Sequence, residues 1–146
     1  MSAEREIVTT RVIDAPRERV FAAWTDPEAV VRWWGPDGFT CTIQEMDVRP
    51  GGAWRLVLHG PDGIDYPNRS AFVEVVKPER LVYDHISGPK FLATATFADK
   101  DGKTEITLRS VFESAAVLAK VIEAFDAVEG AKQTLARLAA CVEGER

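Results

Sequence analysis

Two histidines and two tyrosines are all that the chain holds of those residue types, and all four fall within one stretch, His59, Tyr66, Tyr83 and His85. Tyr66, Asn68, Ser70, Phe72 and Glu74 alternate along a single run, so a strand's period of two places them on one face. Hairpin pairing across Pro78-Glu79 then predicts Tyr83 and His85 beside Glu74 and Phe72, and the turn at Gly60 to Gly63 predicts His59 opposite Tyr66. A histidine next to a carboxylate is the smallest general-base pair, and a tyrosine or asparagine can orient a carbonyl or stabilise an oxyanion. His85, Glu74, Tyr66 and His59 are therefore the candidate catalytic residues. The alternative is a plain solvated face, because a register slip of one residue turns the whole set outward. The run Trp54, Leu56, Leu58, Ala71, Val73 and Val75, expected on the opposite face, is the more apolar and favours that alternative.

Other chemistries find no footing in the sequence. No serine or cysteine sits in a nucleophile elbow, and no glycine pattern suits a dinucleotide, so no cofactor is expected. His59 and His85 fall two strand spacings apart, ~9.6 Å, without an evident third ligand, so no metal is expected either. Cys41 and Cys141 match no metal or redox spacing and read as reduced thiols.

The elements that must position these residues follow from periodicity. Ile7 to Ile13 alternates β-branched residues and stops at Asp14-Ala15-Pro16, a strand running into a helix whose first turn suits Pro16. Val20, Phe21 and Trp24 then recur at helical spacing. Thr25-Asp26-Pro27 breaks and restarts the helix, and Ala29, Val30, Trp33 and Trp34 form a second apolar stripe. Six runs of strand length follow, 39–48, 53–59, 66–76, 80–86, 91–98 and 104–112, joined by short turns as in an antiparallel meander. The tetrapeptide GPDG occurs at Gly35 and again at Gly60, each copy a turn whose last glycine is free to take positive φ. Ser114 suits an N-cap, and Leu118, Val121 or Ile122, Phe125, Val128, Leu135, Leu138 and Val142 keep helical spacing, which predicts one rod of about 28 residues, roughly 40 Å long. Gly130-Ala131 interrupts its row of large side chains, leaving room for a ligand or for close approach of another element.

At 146 residues and 46% hydrophobic content the chain suits one domain, residues 1–146, with a core that needs no staples. The charged, polar start MSAEREIVTT and the lack of a long apolar run point to a cytoplasmic protein with no membrane span. A net charge of −5, with no cluster of Lys and Arg between aromatics, makes nucleic acid an unsuitable partner.

The element order, with RWWGP after the second helix, PGGAWR opening the third strand, DAPRERVFAAWTDPE, GPDGIDYPNR, PERLVYDH and EGAKQTLARLAA, resembles the SRPBCC (START-like, birch-pollen-allergen-like) superfamily. Within it the chain is similar to the heat-shock-protein-90 ATPase activator homologues. The resemblance implies an α+β helix-grip, β-α-α-β6-α, in which a curved antiparallel sheet grips a long C-terminal helix around a cavity. It implies an apolar small-molecule ligand, lipid-like, aromatic or polyketide-like, against Trp24, Trp33, Trp34, Phe39, Trp54, Phe72, Tyr83, His85, Leu118, Ile122 and Phe125. Consecutive helical residues point about 100° apart, so of Trp33 and Trp34 one is expected in the core and the other capping the cavity. The alternatives are a chaperone-interaction module like the activator's C-terminal domain, or a cofactor-independent cyclase, dehydratase or hydrolase in the same cavity. Binding without catalysis is the expectation, and a homodimer is compatible with it.

Overall fold

The structure, a computed structural model, describes residues 5–143. Its elements run β1 (Glu6–Ile13), α1 (Arg17–Thr25), α2 (Pro27–Trp33), β2 (Thr40–Met46), β3 (Ala53–His59), β4 (Asp65–Val76), β5 (Arg80–His85), β6 (Phe91–Lys100), β7 (Lys103–Phe112), α3 (Ala115–Phe125) and α4 (Ala127–Glu143). The seven strands form one antiparallel sheet in the order β1-β7-β6-β5-β4-β3-β2. Six follow one another as a meander, and β1 closes the far edge beside β7. This is the curved α+β helix-grip, with α4 crossing the sheet in contact with β1, α1 and α2. No helix among the described residues is long and apolar enough to cross a membrane.

Alternation sorts the strands into an inner and an outer face. Trp54 and Leu56 of β3, Phe72 of β4, Leu81 and Tyr83 of β5, Ala93, Ala95 and Phe97 of β6, and Ile106 of β7 are buried inward. They meet Val20, Phe21 and Trp24 of α1, Val30 and Trp33 of α2, and Leu135, Leu138, Ala139 and Val142 of α4 in one apolar cluster. Thr104 sits in that interior with its hydroxyl donating to the Ala15 carbonyl at 2.7 Å, which removes the cost of burying it. Asp26 joins the short helices, its carboxylate accepting from the Glu28 N–H at 3.0 Å just before Pro27. Pro16 precedes α1 as its N-cap residue, φ −67° and ψ 150°, and the helix begins one residue later than the expected first-turn proline. Gly38 and Gly63, the last residues of the two GPDG copies, take φ of 87° and 84°.

Two expectations fail here. The C-terminal rod is not continuous: Asp126 adopts a left-handed conformation, φ 48° and ψ 55°, and separates α3 from α4. Its N–H still caps α3 on the Ile122 carbonyl at 2.8 Å, and its own carbonyl accepts from Gly130 N–H at 2.9 Å to start α4. Aspartate tolerates this conformation better than most residues because its short polar side chain can satisfy local backbone. The break lets Leu118 of α3 pack with Ile7 and Phe112 in a small cluster apart from the main core. The second failure is in β4, where Phe72 pairs with Tyr83 but Glu74 pairs with Val82. Val73 is the extra residue of a β-bulge, and it resets the alternation so that Val75 rather than Glu74 turns inward.

Candidate ligand cavity

The bulge decides which of the candidate residues meet. On the inner face of β4 stand Tyr66, Asn68 and Ser70, paired with Leu58 and Leu56 of β3 and, for Ser70, with both Trp54 of β3 and His85 of β5. The set is therefore mixed: Trp54, Leu56 and Leu58, expected on the opposite face, share the face of Tyr66, Asn68, Tyr83 and His85. Ala71 and Val73 point the other way, Val73 being 52% exposed.

Glu74 does not join His85. It lies on the outer face, where its carboxylate accepts from Arg80 Nε, so the expected general-base pair is not assembled. His59 also leaves the set. It pairs with Asp65, not Tyr66, and faces outward, its ring in hydrogen bonds to Thr42 Oγ1 and Asp65 Oδ1, both at 2.8 Å. The two histidines thus lie on opposite faces of the sheet.

Between the inner face and α4 lies a cavity of about 470 Å³. Its existence follows from side-chain size. Along one row of the sheet Tyr83 pairs with Ala93, buried beneath the cavity, and Ala93 with Ser110, which lines it, beside rows that carry Trp54, Phe91 and Leu108. Facing that floor, α4 presents Ala127, Gly130, Ala131 and Thr134. Small residues on both layers leave space that close packing would otherwise fill. A Cβ built on Gly130 would meet only the Pro36 ring, at 3.8 Å, so this glycine serves space and not close approach.

The RWWGP turn forms one wall. Trp33 is fully buried, its indole N–H donating to the Ala23 carbonyl at 3.1 Å. Trp34 turns the other way into the cavity lining, edge-on to Trp33, Trp54 and Tyr83 at centroid distances of 5.3, 4.8 and 6.4 Å. Arg137 of α4 donates to the carbonyls of Gly35 and Pro36 at 2.8 and 2.9 Å, and Gln133 accepts from Asp37 N–H at 3.1 Å. The turn is thereby tied to the helix that roofs the cavity. Cys41, half-buried near Arg137, is a thiol pushed up by burial and drawn back by that guanidinium, and neither it nor Cys141 forms a disulfide among the described residues.

Of the residues expected around a ligand, Trp34, Phe39, Trp54, Tyr83 and His85 line the cavity, as does Tyr66 from the catalytic set. Trp24, Trp33 and Phe72 do not; they are core residues, at most 1% exposed. Leu118 belongs to the small cluster under α3, and Ile122 is exposed at 37%. The side chain of Phe125 lies outside the described residues. Sequence reasoning missed Ser110 and Ala127 on the lining, whose signal is only the absence of bulk in an apolar row.

The cavity's polar end is held by His85, 8% exposed and stacked on Phe91 at 4.5 Å and 12°. Its Nδ1 lies 2.8 Å from the Pro89 carbonyl and its Nε2 2.6 Å from Asn68 Oδ1. Asn68 is oriented by its own Nδ2, which donates to the Tyr66 carbonyl at 2.9 Å. Burial lowers the basicity of His85, opposed by bonds to the Pro89 and Ser87 backbone and by Asp84. Tyr83 is pushed well above the usual phenol range by burial, so its hydroxyl stays protonated as a donor.

The family described as Activator of Hsp90 ATPase homolog 1-like protein matches residues 14–143. The chain belongs to this family. The Activator of Hsp90 ATPase homolog 1-like match spans every element from α1 to α4 and so includes the whole cavity wall. No curated protein matches the sequence. Among solved structures, a protein from Chromobacterium violaceum is 29% identical with a TM-score of 0.84, covering 94% of this chain and 97% of that one. One from Nitrosomonas europaea reaches a TM-score of 0.89 at 21% identity, over 100% and 99% of the two chains. An AHSA1-like protein from Aeromonas hydrophila is 22% identical with a TM-score of 0.76, over 95% and 92%. At these last two identities the likeness is one of fold alone.

Proposed function

We propose that this protein binds a small, largely apolar molecule in the cavity between the sheet and α4. The observation that carries the reading is the cavity of about 470 Å³ walled by Trp34, Trp54, Leu56 and Tyr83, with His85, Asn68 and Ser70 at one end. A few oriented polar groups in an apolar concave lining are what fix a small ligand in place. Binding without turnover is the reading, because His85 is stacked on Phe91 with both ring nitrogens facing protein oxygens and Glu74 lies on the other face.

A panel of fatty acids, flavonoids and polyketide-like compounds tests it. At least one compound is expected both to raise the melting temperature and to shift tryptophan emission, since Trp34 and Trp54 line the bound volume. A panel that moves neither signal would sink the proposal. Long incubation of a confirmed ligand should leave its mass unchanged; conversion by the wild type that is lost in His85→Asn would replace binding with catalysis.

A further inference from the structure

The polar end of the cavity has a charge requirement of its own. Both ring nitrogens of His85 face oxygen acceptors, the Pro89 carbonyl and Asn68 Oδ1. A neutral imidazole has one N–H and one lone pair, so it can satisfy only one of them. Rotating the Asn68 amide offers no escape, because its oxygen would then oppose the Tyr66 carbonyl that its Nδ2 now serves. Only the doubly protonated ring satisfies the whole network. Yet that cation would be nine-tenths buried, and a buried charge without a counter-charge is costly.

Two hydroxyls beside the ring share this demand for an anion. Ser70, 5% exposed, is the cross-strand partner of His85, and Tyr83, 3% exposed, lies two residues along the same strand. Both line the cavity, and neither hydroxyl has a hydrogen-bond partner among the described residues. Ser110 on β7 adds a third, across the small side chain of Ala93. Donors and a latent cation thus share one lining with the indoles of Trp34 and Trp54 and with Leu56 and Leu58.

We infer that the ligand, on the binding reading above, is an apolar molecule bearing a carboxylate, whose oxygens take up the Ser70 and Tyr83 donors beside His85 while the ring accepts a proton from solvent. Binding and protonation are then one event. The other groups around His85 do not substitute for the ligand. Asp84 is its neighbour on β5 and faces outward; Asp65 of β4 stands at the exposed rim, engaged with His59. Tyr66 of β4 is on the lining, Lys90 of the following loop is exposed, and β6 and β7 present Phe91 and Ser110. The roof from α4, Ala127, Gly130, Ala131 and Thr134, contains nothing that titrates.

The test uses 1-naphthaleneacetate and its uncharged amide, titrated calorimetrically between pH 6 and 8 in buffers of different ionisation heat. The carboxylate is expected to bind with uptake of up to one proton, and to weaken by up to tenfold per pH unit as pH rises; the amide should bind with no uptake and no such slope. His85→Gln should remove the uptake and narrow the preference for the carboxylate. If that variant does not fold, Asn68→Leu, which withdraws the acceptor at Nε2 and leaves the imidazole, should reduce the uptake. Equal binding of both probes without proton uptake overturns the carboxylate inference and leaves the cavity as a ligand site. Failure of both probes to bind overturns the inference, whereas the binding reading falls only with the panel.

Discussion

His85 shows how one side chain's environment sets a measurable property of the fold. Its burial holds the folded-state pKa below the ordinary value of about 6.5 for an unfolded chain. Above that pH both states are neutral at this position and its contribution is complete. As pH falls, the unfolded chain binds the proton first, so stability declines through the window between the ordinary value and the lowered one. Urea midpoints from pH 7.5 to 5 should therefore fall less steeply in His85→Gln than in the wild type; identical slopes would mean that the imidazole is not desolvated as the structure has it. Part of this scale was legible beforehand: Trp33 and Trp34 do diverge, although not as two helical residues, because α2 ends at Trp33 and Trp34 is its extended C-cap, φ −67° and ψ 128°. The partnership of His85 with Asn68 was not legible, because side-chain alternation gives the face of a residue but not which neighbour its nitrogens reach.

At the scale of elements, the strands and short helices were readable because their signals are local: β-branched alternation in β1, the Asp26-Pro27 joint, the Ser114 cap that accepts from Val117 N–H at 3.1 Å. The β4 bulge and the Asp126 break escaped, since a single extra or left-handed residue leaves the apolar spacing on either side intact. The bulge has a tertiary support that no local pattern announces. Gly51 N–H donates to the Phe72 carbonyl at 2.7 Å and Phe72 N–H donates to the Gly52 carbonyl at 2.9 Å, so the PGG turn pairs with β4 next to Val73. Gly52 can do this only without a side chain, because a Cβ there would lie 1.9 Å from the Asp47 carbonyl oxygen. Gly52→Ala must displace the turn, and we expect it to cost roughly 1–3 kcal/mol, a typical range for overpacking. Denaturant unfolding measures the loss, and wild-type stability in the variant would show that the turn does not hold β4 in register.

For the whole molecule, the question is whether stability was given up to keep the cavity open. Small residues on sheet and helix forgo packing that bulkier ones would supply, and Gly130 in mid-helix forgoes about 1 kcal/mol of helix propensity relative to alanine. Since only Pro36 approaches the Gly130 Cβ position, at 3.8 Å, a larger side chain here grows into the cavity and not into backbone. Gly130→Leu is thus expected to raise the melting temperature of the free protein, by the recovered propensity and by newly buried methyl groups. The wild type has a second route to the same gain. A ligand at a hundred times its Kd adds about 2.7 kcal/mol, which for a chain of this size corresponds to roughly 5–10 °C. The two routes use one volume and so cannot add. Thermal melts of both proteins with and without a ligand found by the panel should show a large increment for the wild type and almost none for Gly130→Leu. If instead the increments add in full, the ligand sits elsewhere on the molecule, and the space beneath α4 is not its site.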